Sequence, residues 1–110
     1  MLKQSSLSQF IGTEHYYKHW LGKVYTDGVK YMAEEGQAYW LLDAIFSYMR
    51  TESFQIWELK KTGTTSAVLT MKEDTNEPIL VKQDIPLTDF PLDFIALWLI
   101  DGVLILPSEY

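Results

Sequence analysis

Apolar residues recur along the whole chain in short runs, and their spacing changes from one run to the next. Between residues 37 and 49 the period is helical: at 100° per residue, Ala38, Leu41, Leu42, Ile45, Tyr48 and Met49 gather on one side and Asp43, Ser47 and Arg50 on the other. This segment is predicted as the main amphipathic helix, and Glu34 and Glu35 just ahead of it suit the positive end of a helix dipole. Residues 54–60, 67–73 and 79–85 read as strands. In the second, Ala67, Leu69 and Met71 alternate with Ser66, Thr70 and Lys72, the period of a sheet with one wet face. The connectors Thr62-Gly63-Thr64-Thr65 and Asp74-Thr75-Asn76-Glu77-Pro78 carry turn chemistry and are too short for a crossover helix, which predicts an antiparallel meander.

Two Asp-Gly pairs, at 27–28 and 101–102, stand between apolar runs, and each signals a hairpin. The first predicts strands at 16–25 and 29–33, with Gly22 marking a bulge. The second predicts strands at 94–100 and 103–106. A helix starting at Pro91 competes for the last region, but Val103-Leu104-Ile105-Leu106 is too short and too β-branched to favour it. Residues 5–12 read as a short N-terminal helix with a serine cap and Gly12 as its stop. The expected fold is α+β: a bent, mainly antiparallel sheet of six or seven strands with the 37–49 helix across one face. No linker or repeat divides residues 1–110, so a single domain is expected. Both faces of 94–100 are apolar, with Phe94, Ala96, Trp98 and Ile100 on one and Ile95, Leu97 and Leu99 on the other. The helix covers one face; the other calls for the sheet folding over itself or for a second copy.

Composition narrows the function classes. The 110 residues, 47% of them hydrophobic, suffice for one core. With no cysteine there are neither disulfides nor thiolate zinc sites, which fits a reducing cytoplasm. The N-terminus lacks the apolar core of a secretory signal, and the longest apolar run, 94–100, falls far short of the ~20 residues of a membrane-spanning helix. No membrane association is expected. Net charge is −6; Lys3, Lys18, Lys23 and Lys30 outnumber Glu14 and Asp27 up to residue 30, so the remainder carries −8. An acidic chain without a basic run is poorly equipped to neutralise phosphates, and direct nucleic-acid binding is not expected.

Candidate chemistry is sparse. His15 and His19 could share a metal ion on a helix, but on a strand they stand roughly 13 Å apart, and no glutamate follows the first. They are read as lining an aromatic surface, with no metal site. Asp74-Thr75-Asn76-Glu77 lacks the glycine and distal glutamate of a calcium loop, and no phosphate-binding glycine pattern or G-x-S-x-G occurs. Glu34, Glu35 and Asp43, with Tyr39 beside them and His15 or His19 as partner, form the enzymatic alternative, an acid–base hydrolase or lyase. Acids at a helix start are usually solvated, so no catalytic residue and no cofactor are assigned. Aromatic residues are in excess, and Tyr and Trp concentrate at binding surfaces. The binding candidates are Trp20, His19, Asp27, Tyr39, Trp40 and Asp43. The function expected is a non-catalytic module that binds another protein through an aromatic and acidic surface and can form a homo-oligomer. An acidic DNA mimic ranks last, because the acids are scattered.

Four stretches, YTDGVKYMAE at 25–34, AYWLLDAI at 38–45, TDFPL at 88–92 and the ending LPSEY at 106–110, resemble an uncharacterised bacterial family known only as a domain of unknown function. The resemblance runs the length of the chain. It implies a small cytosolic protein of a kind often carried near phage or plasmid genes, with no activity assigned. It supplies no catalytic residue, and marks Asp27, Gly28, Trp40, Asp43 and the terminal Pro-Ser-Glu-Tyr as parts of family motifs.

Overall fold

The computed structural model describes residues 2–12 and 14–110. Its strands are β1 (Tyr16–Lys18), β2 (Val24–Thr26), β3 (Phe54–Lys61), β4 (Ala67–Lys72), β5 (Val81–Ile85), β6 (Phe94–Ile100) and β7 (Val103–Ile105). The helices are α1 (Gln4–Leu7), α2 (Asp27–Glu35) and α3 (Tyr39–Ser47), and the chain closes on a 3-10 turn, Pro107–Glu109. The strands form an open seven-stranded sheet in the order β1-β2-β7-β6-β3-β4-β5. Every neighbouring pair is antiparallel except β2 and β7, which run parallel and are therefore joined by a long connection through the rest of the fold. The fold is α+β, as expected. Among the described residues no helix is long and apolar enough to cross a membrane.

The meander 54–85 and the hairpin at Asp101-Gly102 form as predicted. Asp101 and Gly102 both have positive φ, 49° and 85°, the backbone that a tight two-residue hairpin requires. The first Asp-Gly does something else. Asp27 and Gly28 open helix α2; the Thr26 hydroxyl caps it by accepting the Val29 N–H, and Val29, Met32 and Ala33 turn inward together. The predicted strand at 29–33 is thus a helix, and β2 pairs instead with β1 around residues 19–23. Gly22 sits in that connection at φ 100° and not in a bulge. Two nine-residue helices therefore replace the one predicted. Glu34 and Glu35 end the first of them, with Lys30 bridging back to Glu34 at 3.5 Å. Helix α3 is shorter than 37–49, and Tyr48 and Met49 beyond its end are exposed. The N-terminal helix spans one turn, begins after Lys3 without a side-chain cap, and stops well before Gly12.

Both nine-residue helices cover the same sheet face. Val29, Met32, Leu41, Leu42, Ile45 and Phe46 meet Trp57, Leu59, Leu69, Met71, Ile95, Leu97, Leu99 and Leu104 in a core where each fully buried large side chain contributes about 1.5–3 kcal/mol. The buried Trp57 indole is satisfied by Gln55 Oε1 at 2.8 Å, and the Gln55 amide donates to the Glu52 carbonyl at 3.1 Å. The opposite face, which neither nine-residue helix covers, carries an apolar strip of buried and half-buried side chains. Ile56, Trp98 and Ile105 lie side by side across β3, β6 and β7, with Phe54, Ile100 and Val103 in the next row. Tyr110 stands edge-on to Trp98 and Phe54, at 5.4 and 6.5 Å between ring centres, and shields part of this strip.

Candidate functional site

The loop 19–23 between β1 and β2 is closed by its own backbone: the His19 N–H donates to the Lys23 carbonyl at 2.7 Å and the Gly22 N–H to the His19 carbonyl at 2.9 Å. This folds the His19 imidazole inward onto α3, where it is only 6% exposed and meets the edge of Phe46 at 4.7 Å between ring centres. Nδ1 accepts the Leu21 N–H at 3.0 Å, so in the neutral ring the proton resides on Nε2, which donates to Asp43 Oδ1 at 2.6 Å. The same oxygen accepts the Trp20 indole N–H at 3.2 Å. Trp20 at the loop tip is 76% exposed, and the Asp43 side chain is half-exposed. The hydrogen bonds therefore consume both imidazole nitrogens and leave no lone pair to act as a base, while they fix a large ring beside a solvent-facing carboxylate.

One turn before Asp43 on α3 stands Tyr39. Partial burial, together with the nearby Tyr25 and Glu34, pushes its hydroxyl up to about 12. Tyr39 thus joins Asp43 and Trp20 on one ridge, with Glu34 at its end. Trp40 does not share it: this indole is half-buried and packs on the core.

A second cluster gathers at the start of α2. Asp27 Oδ1 accepts the Tyr17 hydroxyl at 3.0 Å, and Oδ2 accepts the His15 N–H at 3.1 Å with His15 Nδ1 3.6 Å away. Burial acts to raise the Asp27 carboxyl, but the bonds from Tyr17, His15 and Glu14 outweigh it and hold the group below its ordinary value. The same bond raises the Tyr17 hydroxyl, whose ring lies 4.5 Å from Lys30 Nζ. A shallow depression of about 700 Å³ beside it is lined by Phe10, Ile11, Glu14, His15 and Asp27. The two histidines, separated by β1, thus end on different carboxylates.

Sequence reasoning missed Glu109. Its carboxylate accepts the Thr26 hydroxyl at 2.6 Å, the Leu106 N–H at 2.9 Å and the Gly28 N–H at 3.2 Å, which places a negative charge on the N-terminus of α2. The contact joins two of the stretches quoted above, YTDGVKYMAE and LPSEY, and the signal lay in their joint presence.

Of the six binding candidates, His19, Trp20, Asp43 and Tyr39 come together, Asp27 belongs to the other cluster, and Trp40 packs half-buried on the core. Among the described residues no three His, Asp or Glu side chains are grouped to hold a metal ion. The family of unknown function DUF6876 matches residues 1–110, and the chain belongs to it. No curated protein and no solved structure matches the chain.

Proposed function

We propose, from the premise of a family without an assigned activity, that this chain is a non-catalytic protein-interaction module whose contact surface is the ridge of Trp20, Asp43 and Tyr39. The observation that carries the reading is the bond from the exposed Trp20 indole to the half-exposed Asp43 carboxylate. A fixed ring beside a negative charge suits a cationic side chain, which stacks on the indole face while the carboxylate accepts its N–H. Because the ring is held in advance, docking costs less side-chain entropy. The partner is therefore a protein segment bearing arginine or lysine, and the net charge of −6 favours its approach. The cysteine-free composition suits the cytoplasm as the place of this encounter.

The acid–base alternative has less support. It needs a titratable group with an open lone pair, whereas His19 is engaged at both nitrogens and His15 leans on Asp27, away from Asp43. Selection of displayed peptides against the immobilised protein tests the proposal. Enriched sequences should carry Arg or Lys, and Trp20→Ala or Asp43→Asn should weaken them by roughly tenfold or more while Tm stays within a few degrees. Trp40→Ala is unsuited as a probe, because removing a ring packed on the core lowers stability by itself. Acidic binders, or binders indifferent to Trp20→Ala, would end the proposal.

A further inference from the structure

At the far edge of the sheet from β1 lies β5, with β4 on one side only. The Leu80 N–H points at β4, donating to the Met71 carbonyl at 2.8 Å. The Thr62 N–H donates to the Ser66 carbonyl, so Val68, Thr70 and Lys72 turn their backbone groups to β3 and Ala67, Leu69 and Met71 turn theirs to β5; Val81, Gln83 and Ile85, their partners, therefore bond to β4, and the N–H and C=O of Lys82 and Asp84 face outward. Pro86, which has no N–H, falls at the next outward position and ends the run of free donors after Asp84. Apolar side chains flank the strand at both ends: Ile79 is 56%, Leu80 40% and Leu87 79% exposed.

The order of side chains is the informative feature. When the segment Val81-Lys82-Gln83-Asp84-Ile85 is laid antiparallel against itself about Gln83, Val81 meets Ile85, Lys82 meets Asp84 and Gln83 meets its twin. Continued outward, the same register sets Leu80 on Pro86 and the exposed Ile79 on the exposed Leu87. A slip of two residues in either direction sets Lys82 on Lys82 or Asp84 on Asp84, so the charges select a single register. Lysines and prolines on an edge strand ordinarily discourage pairing. Here the lysine is two residues from an aspartate of the same face, and the proline lies beyond the two outward residues that would pair, so neither obstructs pairing with an identical strand.

We propose that two copies of this chain join through their β5 edges, antiparallel about a two-fold axis at Gln83, into one sheet continuous across the dimer. Lys82 of each copy exchanges backbone hydrogen bonds with Asp84 of the other across the axis. Lys82 and Asp84 pair on the face opposite the two helices, and Val81 and Ile85 extend the helix-covered core from one copy to the next. The interface lies at the sheet edge opposite the Trp20 loop, so it stands independently of the proposed contact ridge.

Sedimentation equilibrium over a concentration series, with a charge-swap set, tests this. The wild type should dimerise, while Lys82→Asp and Asp84→Lys, each setting like charges face to face twice, should weaken the dimer by roughly tenfold or more. Mixing those two single variants should restore a dimer, because each then offers the complement of the other, and the double swap K82D/D84K should self-associate like the wild type. Asp84→Pro removes an outward N–H while the bonds to β4 remain, and should give a folded monomer by circular dichroism. A wild type that stays monomeric at millimolar concentration overturns the proposal. So does a dimer that the single swaps leave unchanged, which would put the contact on another surface.

Discussion

Gly102 and Gly28 each follow an aspartate, yet different constraints act on them. Gly102 lies at φ 85° in the β6–β7 turn, where a Cβ would have space, its nearest neighbour being Lys23 Cδ at 3.9 Å. Gly28 has ordinary helical backbone, but a Cβ there would lie 2.6 Å from Leu106 Cδ1 and 2.8 Å from the Glu109 carboxyl carbon. Gly102→Ala should therefore cost about 1 kcal/mol in backbone strain alone, and Gly28→Ala about 1–3 kcal/mol in overpacking, both read from urea denaturation midpoints. Because the second cost is a collision, adding Glu109→Ala should recover part of it, whereas the same addition to Gly102→Ala should be additive. Additivity in both pairs would mean that Gly28 is not needed for room. Neither difference is visible in the dipeptide itself, because the side chains that crowd Gly28 come from the other end of the chain.

Helix α2 depends on a cap built in two halves, the adjacent Thr26 and the distant Glu109. Glu109→Ala removes the acceptor for the Gly28 and Leu106 N–H groups and should cost about 1–2 kcal/mol, with faster amide hydrogen exchange concentrated at the start of α2. Uniform acceleration across the sheet would show that the C-terminal turn matters for the whole fold and not for this helix. The local half of the cap was legible: Thr26 stands before the inward-facing spacing of Val29, Met32 and Ala33, and Lys30 lies four residues from Glu34. A hairpin is read in its place because Val29 and Tyr31 favour strands and Asp-Gly favours tight turns. Elements whose partners are local, namely the meander, the last hairpin and α3, were readable from periodicity. The parallel joining of β2 to β7 was not, since it brings Val24 and Tyr25 beside Val103 and Leu104 without any local signal. At the ridge the residue types could be named in advance, but the choice among them could not. Trp20 and Asp43 meet only because the 19–23 loop folds back onto α3, while Trp40 packs half-buried against the core.

For the molecule as a whole, the titrating groups outline where stability fades. Asp27 is held below its ordinary value of 3.8 by the bonds that outweigh its burial, so the fold prefers its charged form. Its contribution is complete above that pH and is lost as pH falls through the lower folded value. Glu52, lowered by the hydrogen bonds from Arg50, adds to the same acid limb. Tyr39 has the opposite sign: at about 12 in the fold against an ordinary 10.0, its neutral form is the preferred one. Its contribution is complete below pH 10 and disappears as pH rises toward 12. Urea midpoints measured from pH 2 to 12 should thus trace a plateau with two falling limbs. Asp27→Asn should lie below the wild type at neutral pH and converge with it at about pH 2, since both then carry an uncharged group at that position. Tyr39→Phe should match the acid limb and flatten the alkaline one. If Asp27→Asn ran parallel to the wild type down to pH 2, the carboxylate's charge would not be what anchors the segment before β1 to α2, and the hydrogen bonds alone would have to account for that anchoring.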